Sequence, residues 1–73
     1  MTELEFGLEQ SPYIELYQLL KVIGLCGSGG MAKHVIADGL VTVDGAVETR
    51  KRCKICLGQR AIFEGTTITI TKD

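Results

Sequence analysis

Residues 28–47 read SGGMAKHVIADGLVTVDGAV, and the spacing of the apolar residues changes within this stretch. Up to Gly39, apolar residues recur three and four positions apart, which predicts a short helix. After Leu40 they alternate with polar residues, and Asp44-Gly45 is the commonest signal for a tight hairpin turn. The stretch therefore predicts a helix that ends at Gly39 and is followed by a β-hairpin.

The residues before this stretch predict a strand and a longer helix. Thr2–Phe6 alternates polar and apolar residues, which is typical of a half-buried strand. Ser11-Pro12 is a favourable helix start, and Gly24 can end a helix in a left-handed conformation. We therefore predict a first helix over residues 12–23, with one apolar stripe formed by Tyr13, Leu16, Tyr17, Leu20 and Ile23.

The residues after the hairpin predict further short strands separated by turns. The strands are expected around Ile55–Leu57, Ala61–Phe63 and Thr67–Thr71, with turns at Gly58-Gln59 and Glu64-Gly65. The fold class is thus α+β, with two short packed helices against a small, mostly antiparallel sheet. A chain of 73 residues has room for one small core, so we expect a single domain over residues 1–73.

The charges are unevenly distributed along the chain, although the formal net charge is only −1. Residues 1–20 contain four acids and no Lys or Arg, whereas residues 21–60 contain seven cations and three acids. Such segregation allows one face of the fold to be basic and another acidic. The net charge therefore does not exclude an anionic partner.

The cysteines and the apolar stretches indicate a cytoplasmic protein. Cys26, Cys53 and Cys56 are an odd set, and the acidic N-terminus does not resemble a secretion signal, so structural disulfides are not expected. The longest nearly apolar stretch, residues 14–26, is interrupted by polar residues, so no membrane span is expected. We expect a cytoplasmic monomer.

Residues 50–54, Arg-Lys-Arg-Cys-Lys, place four cations in five positions. Arginine presents a planar fork that can hold two phosphate oxygens, and RNA presents a dense row of phosphates. If the segment is extended, Arg50, Arg52 and Lys54 point to one side, while Cys53, Ile55 and Leu57 point to the other. The run predicts contact with RNA, although a solvated charge run is the simpler reading.

Ser28, Gly29 and Gly30 stand at the predicted start of the second helix, where unpaired amides and the helix dipole favour an anion. Lys33, one turn further, adds a formal charge. These residues either bind a phosphate or simply form a tight turn between two helices. The candidate RNA-binding residues are therefore Ser28, Gly29, Gly30, Lys33, Arg50, Lys51, Arg52 and Lys54.

Several spaced features resemble one known family. Gly24, Ser28, Ala32, Ile36 and Gly39, then Val-Thr-Val-Asp-Gly at 41–45 and Gly58-Gln59 with Ile62, follow the pattern of the RNA-binding domain named after small-subunit ribosomal protein S-four, also called the alpha-L motif. Residues 28–33 and 48–52 look like its short stand-alone bacterial members. The resemblance implies an RNA-binding fold that is also found in ribosomal proteins, pseudouridine synthases and some synthetases.

The chain departs from the family pattern at both helix starts. Tyr13-Ile14-Glu15 replaces the usual Arg-Leu-Asp, and Gly29-Gly30 replaces the usual Ser-Arg, so two family arginines are missing. The aromatic residues Phe6, Tyr13, Tyr17 and Phe63 occupy predicted core positions, which leaves few platforms for stacking bases. We therefore expect recognition of backbone and shape in a structured RNA, such as ribosomal or transfer RNA.

Other functions are less well supported by the residues. Cys53 and Cys56 have the spacing of half a zinc site that Cys26 and His34 could complete, but alternation along a strand would place the first two on opposite faces. A protein-interaction module with a basic face is the other alternative. No combination of residues suggests catalysis. We expect no enzyme activity, cofactor, metal or small-molecule substrate.

Overall fold

The computed structural model describes residues 2–72, which form two helices and seven short strands. In chain order these are β1 (Thr2–Gly7), β2 (Ile14–Glu15), α1 (Leu16–Val22), α2 (Gly29–Ala37), β3 (Val41–Val43), β4 (Ala46–Val47), β5 (Lys54–Ile55), β6 (Arg60–Phe63) and β7 (Thr66–Thr71). The predicted α+β class is confirmed.

Five strands form the main sheet in the order β1-β7-β6-β3-β4. The pairing of β1 with β7 is parallel, and the other pairings are antiparallel, as expected for a mostly antiparallel sheet. Along β6, Ala61 and Phe63 are buried, whereas Arg60 and Ile62 are exposed on the opposite face. This alternation buries one face of the sheet.

The core lies between the buried face of the sheet and the two helices. Its fully buried large side chains are Leu16, Leu19, Leu20, Ile36, Val41, Ile55, Ile68 and Ile70. Tyr17 and Cys53 are partly buried against this cluster. The helices α1 and α2 therefore pack together, and the segment that contains the basic residues 50–54 lies beside them.

Two local turn predictions are confirmed. Gly24 has a φ of +89°, and the Leu25 and Cys26 amides donate to the Leu20 carbonyl at 3.1 and 3.2 Å, which ends α1. Asp44 and Gly45 have φ values of +51° and +87°, as the hairpin between β3 and β4 requires. The Asp44 carboxylate also accepts from the Arg60 amide at 3.0 Å, which ties the hairpin tip to β6.

The predicted start of the first helix is wrong. The helix begins at Leu16 rather than near Pro12, because residues 14–15 pair with Lys54–Ile55 in a second, two-stranded sheet. The Leu16 amide donates to the Cys53 carbonyl at 2.9 Å, and the Tyr17 amide donates to the Lys51 carbonyl at 3.1 Å. The first helical turn is thus capped by a distant segment, not by Ser11.

The extended conformation considered for residues 50–54 is also wrong. The Cys53 amide donates to the Arg50 carbonyl at 3.2 Å, which closes a turn, and β5 ends at Ile55. A second turn follows, in which the Gln59 amide donates to the Cys56 carbonyl. This turn leaves Leu57 59% exposed, although alternation placed it on the same side as Ile55, which is fully buried.

Candidate nucleic-acid interface

The turn and short strand over residues 50–54, called the basic turn below, are fixed against the start of α1. Backbone hydrogen bonds from Leu16 and Tyr17 hold the carbonyls of Cys53 and Lys51, respectively. Ile55, just beyond the turn, is fully buried and anchors it to the core. Four exposed cations, Arg50, Lys51, Arg52 and Lys54, therefore project from backbone that is well tied to the fold.

Lys33 of α2 and Arg52 of the basic turn both lie close to the ring of Tyr17. The Lys33 Nζ lies 4.7 Å from the centroid of the Tyr17 ring, and the Arg52 Cζ lies 6.0 Å from it. Both distances suit a cation over an aromatic face. The structure thus brings together two predicted site residues that are nineteen positions apart in sequence.

The N-terminus of α2 lies against the same ring. A Cβ placed on Gly29 would be 3.8 Å from the Tyr17 Cδ2 and Cε2 atoms. The Ser28 hydroxyl accepts a hydrogen bond from the Met31 amide at 3.1 Å and so caps the helix. The preceding amides, those of Gly29 and Gly30, remain for an anion at the positive end of the helix.

Lys54 extends the cationic surface past a second aromatic ring. Its Nζ lies 5.0 Å from the centroid of the Tyr13 ring. Lys54 also lines a shallow depression together with Arg50, Arg52 and Cys53. We call the surface formed by residues 28–30, Lys33 and residues 50–54 the basic surface.

Arg50 differs from the other cations because it is paired. Its Nε donates to the Glu48 Oε2 at 2.9 Å, and its Nη2 donates to Oε1 at 3.0 Å. This pairing lowers the pKa of Glu48 to about 2. Because the folded chain favours the ionised carboxylate, the pair stabilises the fold above the ordinary pKa of Glu48, and that contribution is lost as the pH falls towards 2.

The remaining cations of the basic surface are not neutralised by the acidic N-terminal third. Among residues 2–72, Arg50 forms an ion pair with Glu48, and the His34 imidazole contacts the Asp38 carboxylate at 3.1 Å. No ion pair within these residues joins an N-terminal acid (Glu3, Glu5 or Glu9) to Lys33, Arg52 or Lys54. These three cations are therefore available to a ligand. A phosphate placed here would meet formal positive charge from two segments of the chain.

Tyr13 and Tyr17 are the residues that sequence reasoning missed. Both were predicted to face the core, but each is only partly buried and carries a cation over its ring. Their placement depends on the short pairing of β2 with β5, which leaves little trace in the sequence. The sequence signal that could have identified these residues is the four-residue spacing of the two tyrosines, one shortly before the helix and one within it.

The cysteines do not assemble a metal site. Cys26 is buried in the core, Cys53 is partly buried and Cys56 is exposed. Within residues 2–72 no group of three or more His, Cys, Asp or Glu residues is placed to hold a metal ion. Burial, with a further contribution from the Glu48 carboxylate, raises the pKa of the Cys53 thiol, so this residue is kept in the neutral form.

The helices are short compared with the thickness of a membrane. Over residues 2–72, neither helix is sufficiently long and apolar to cross a bilayer.

Comparisons with known proteins agree with the predicted resemblance. A family model described as the S4 domain matches residues 6–71. The chain is 52% identical over 65 residues to the Escherichia coli K12 protein named "Putative RNA-binding protein YbcJ", covering 89% of this chain and 93% of that protein. A Shigella flexneri protein, also named YbcJ, matches with the same identity and coverage.

A solved structure shows the same fold. The solution structure of YbcJ from E. coli matches with a TM-score of 0.68 and 48% identity, covering 97% of this chain and 87% of that one. It is described as revealing an alpha-L motif involved in RNA-binding. With the family model matching residues 6–71 and this fold in common, the chain belongs to the S4 domain family.

Proposed function

We propose that the chain is a non-catalytic RNA-binding protein that grips the backbone of structured RNA through the basic surface. The observation that carries the proposal is that Lys33, Arg52 and the first residue of α2, Gly29, are all placed around the ring of Tyr17. Two positive charges and a helix N-terminus around one ring suit a phosphate group. The relatives named for RNA binding support the same conclusion.

The proposed target is a folded stem or junction of the kind found in ribosomal or transfer RNA. Lys33, Arg52 and Lys54 lie over the two partly buried tyrosine rings, so the exposed surface is cationic and suits the RNA backbone better than base edges. The geometry favours recognition of backbone and shape. We further propose that residues 1–73 act as one monomeric domain in the cytoplasm.

The salt dependence of binding tests this function. A fluorescently labelled RNA hairpin and a single strand of the same composition would be titrated by anisotropy between 50 and 200 mM salt. If the surface neutralises three or four phosphates, log affinity should fall against log salt with a slope of roughly −2 to −4. The hairpin should bind more tightly than the single strand. A slope near zero, or tighter binding of the single strand, would contradict the proposal.

A further inference from the structure

Tyr17 contacts both segments that form the basic surface. Lys33 of α2 lies over its ring at 4.7 Å, and Arg52 of the basic turn lies at 6.0 Å. Gly29 lies beside the same ring, and the Tyr17 amide donates to the Lys51 carbonyl. One residue of α1 is therefore the common neighbour of two cations and of the helix N-terminus.

The aromatic ring can also hold two neighbouring cations in place. Lys33 and Arg52 repel each other, and each has a long side chain with many rotamers. The negative face of an aromatic ring attracts both cations and restricts where they can lie. Because Tyr17 is partly buried against the core, the ring itself is held in place.

We propose that Tyr17 is a positioning residue that holds Lys33 and Arg52 together as one phosphate-binding pair. The inference rests on the proposed RNA-binding function, and Tyr17 acts through the two cations without touching the RNA. A pair that is ordered before binding loses less rotamer freedom when the phosphate arrives. Removing the ring leaves both charges on the protein but separates them.

Two substitutions of Tyr17 distinguish an aromatic role from simple packing. Tyr17→Phe keeps the ring, so its affinity for an RNA hairpin should stay within about twofold of the unchanged protein. Tyr17→Leu keeps an apolar side chain against the core but removes the aromatic face, and its affinity should fall roughly 5- to 30-fold. Tyr17→Met is a second non-aromatic variant of different shape and should show the same fall in affinity. It takes the place of Tyr17→Leu in the comparison if Tyr17→Leu folds poorly.

A spectroscopic readout separates positioning from general destabilisation. The ring current of Tyr17 should shift the side-chain protons of Lys33 upfield in the NMR spectrum, because Lys33 Nζ lies over the ring. This shift should persist in Tyr17→Phe and disappear in the folded non-aromatic variants. Thermal unfolding of each variant shows that the compared proteins are folded.

The outcomes test the inference and the proposed function separately. If the unchanged protein binds the hairpin and folded Tyr17→Leu and Tyr17→Met bind equally well, the positioning role is overturned while RNA binding stands. If Tyr17→Phe loses affinity as severely as Tyr17→Leu, the hydroxyl is needed and the inference is also overturned. Failure of the unchanged protein to bind RNA would instead contradict the proposed function.

Discussion

Replacing Lys33 and Arg52 together with Glu is expected to weaken RNA binding by at least about 100-fold, because each charged contact with a phosphate contributes about 1.5–3 kcal/mol. Both cations lie over Tyr17 and neither is paired with an acid. The reversed charges would also repel neighbouring phosphates. Anisotropy titration with a labelled RNA hairpin measures the loss, and the slope of log affinity against log salt should become shallower.

A matched variant controls for net charge. Arg60→Glu combined with Lys72→Glu changes the formal charge by the same amount, but Arg60 is exposed on the outer face of β6 and Lys72 follows β7. This variant should keep affinity within a few-fold of the unchanged protein. Both variants should remain folded, since the altered side chains lie outside the core, although Arg60→Glu also places a second acid near Asp44 and should lower the unfolding temperature slightly. Undiminished binding by Lys33→Glu with Arg52→Glu would refute the proposed site.

Leu20→Ala is expected to destabilise the fold by about 2–5 kcal/mol, as usual when a large buried side chain is truncated. Leu20 is fully buried, and its carbonyl accepts the two amides that end α1. The total stability expected for a chain of this length is roughly 4–11 kcal/mol, so the loss would be a large share of it. Urea unfolding followed by circular dichroism measures the change.

Val22→Ala in the same helix provides the comparison. Val22 is 56% exposed, so its truncation should change the free energy of unfolding by no more than about 0.5 kcal/mol. The difference between the two variants reports burial, because both substitutions place Ala in α1. Similar small effects for the two would mean that α1 does not pack against the core as described.

The parts of the fold that depend on local chemistry are predictable from sequence. Gly24 ends a helix because it adopts a positive φ, and Asp44-Gly45 forms the hairpin for the same kind of reason. The strands around Ala61–Phe63 and Thr67–Thr71 follow from alternation, and β6 and β7 lie where expected. The order of these features also pointed to the family.

The parts that depend on distant contacts are not predictable in this way. Pairing of β2 with β5 covers only two residues on each side, and it moves the start of α1 from Pro12 to Leu16. A run of cations such as 50–54 has the same composition whether it is extended or turned. Its fold as a turn depends on the carbonyls of Lys51 and Cys53 accepting the first amides of α1.

The candidate site, like the fold, is predictable from sequence only where it depends on local features. Sequence reasoning grouped Lys33 and Arg52 in one candidate basic patch, because charge and helix position can be read locally. The aromatic ring that joins them could not be assigned, since Tyr17 also fits the apolar stripe of the helix. Arg50 was grouped with its neighbours, whereas its pairing with Glu48 depends on the turn between them.

The account rests on the claim that cations from α2 and the basic turn form one RNA-binding surface. Mapping the backbone amides of the isotopically labelled protein by NMR during titration with an RNA hairpin tests that claim most directly. We predict that the largest shift changes fall together in residues 28–33 and 50–54. Changes concentrated on the outer sheet face around Ile62 or on the acidic strand β1, with none in those two segments, would contradict it.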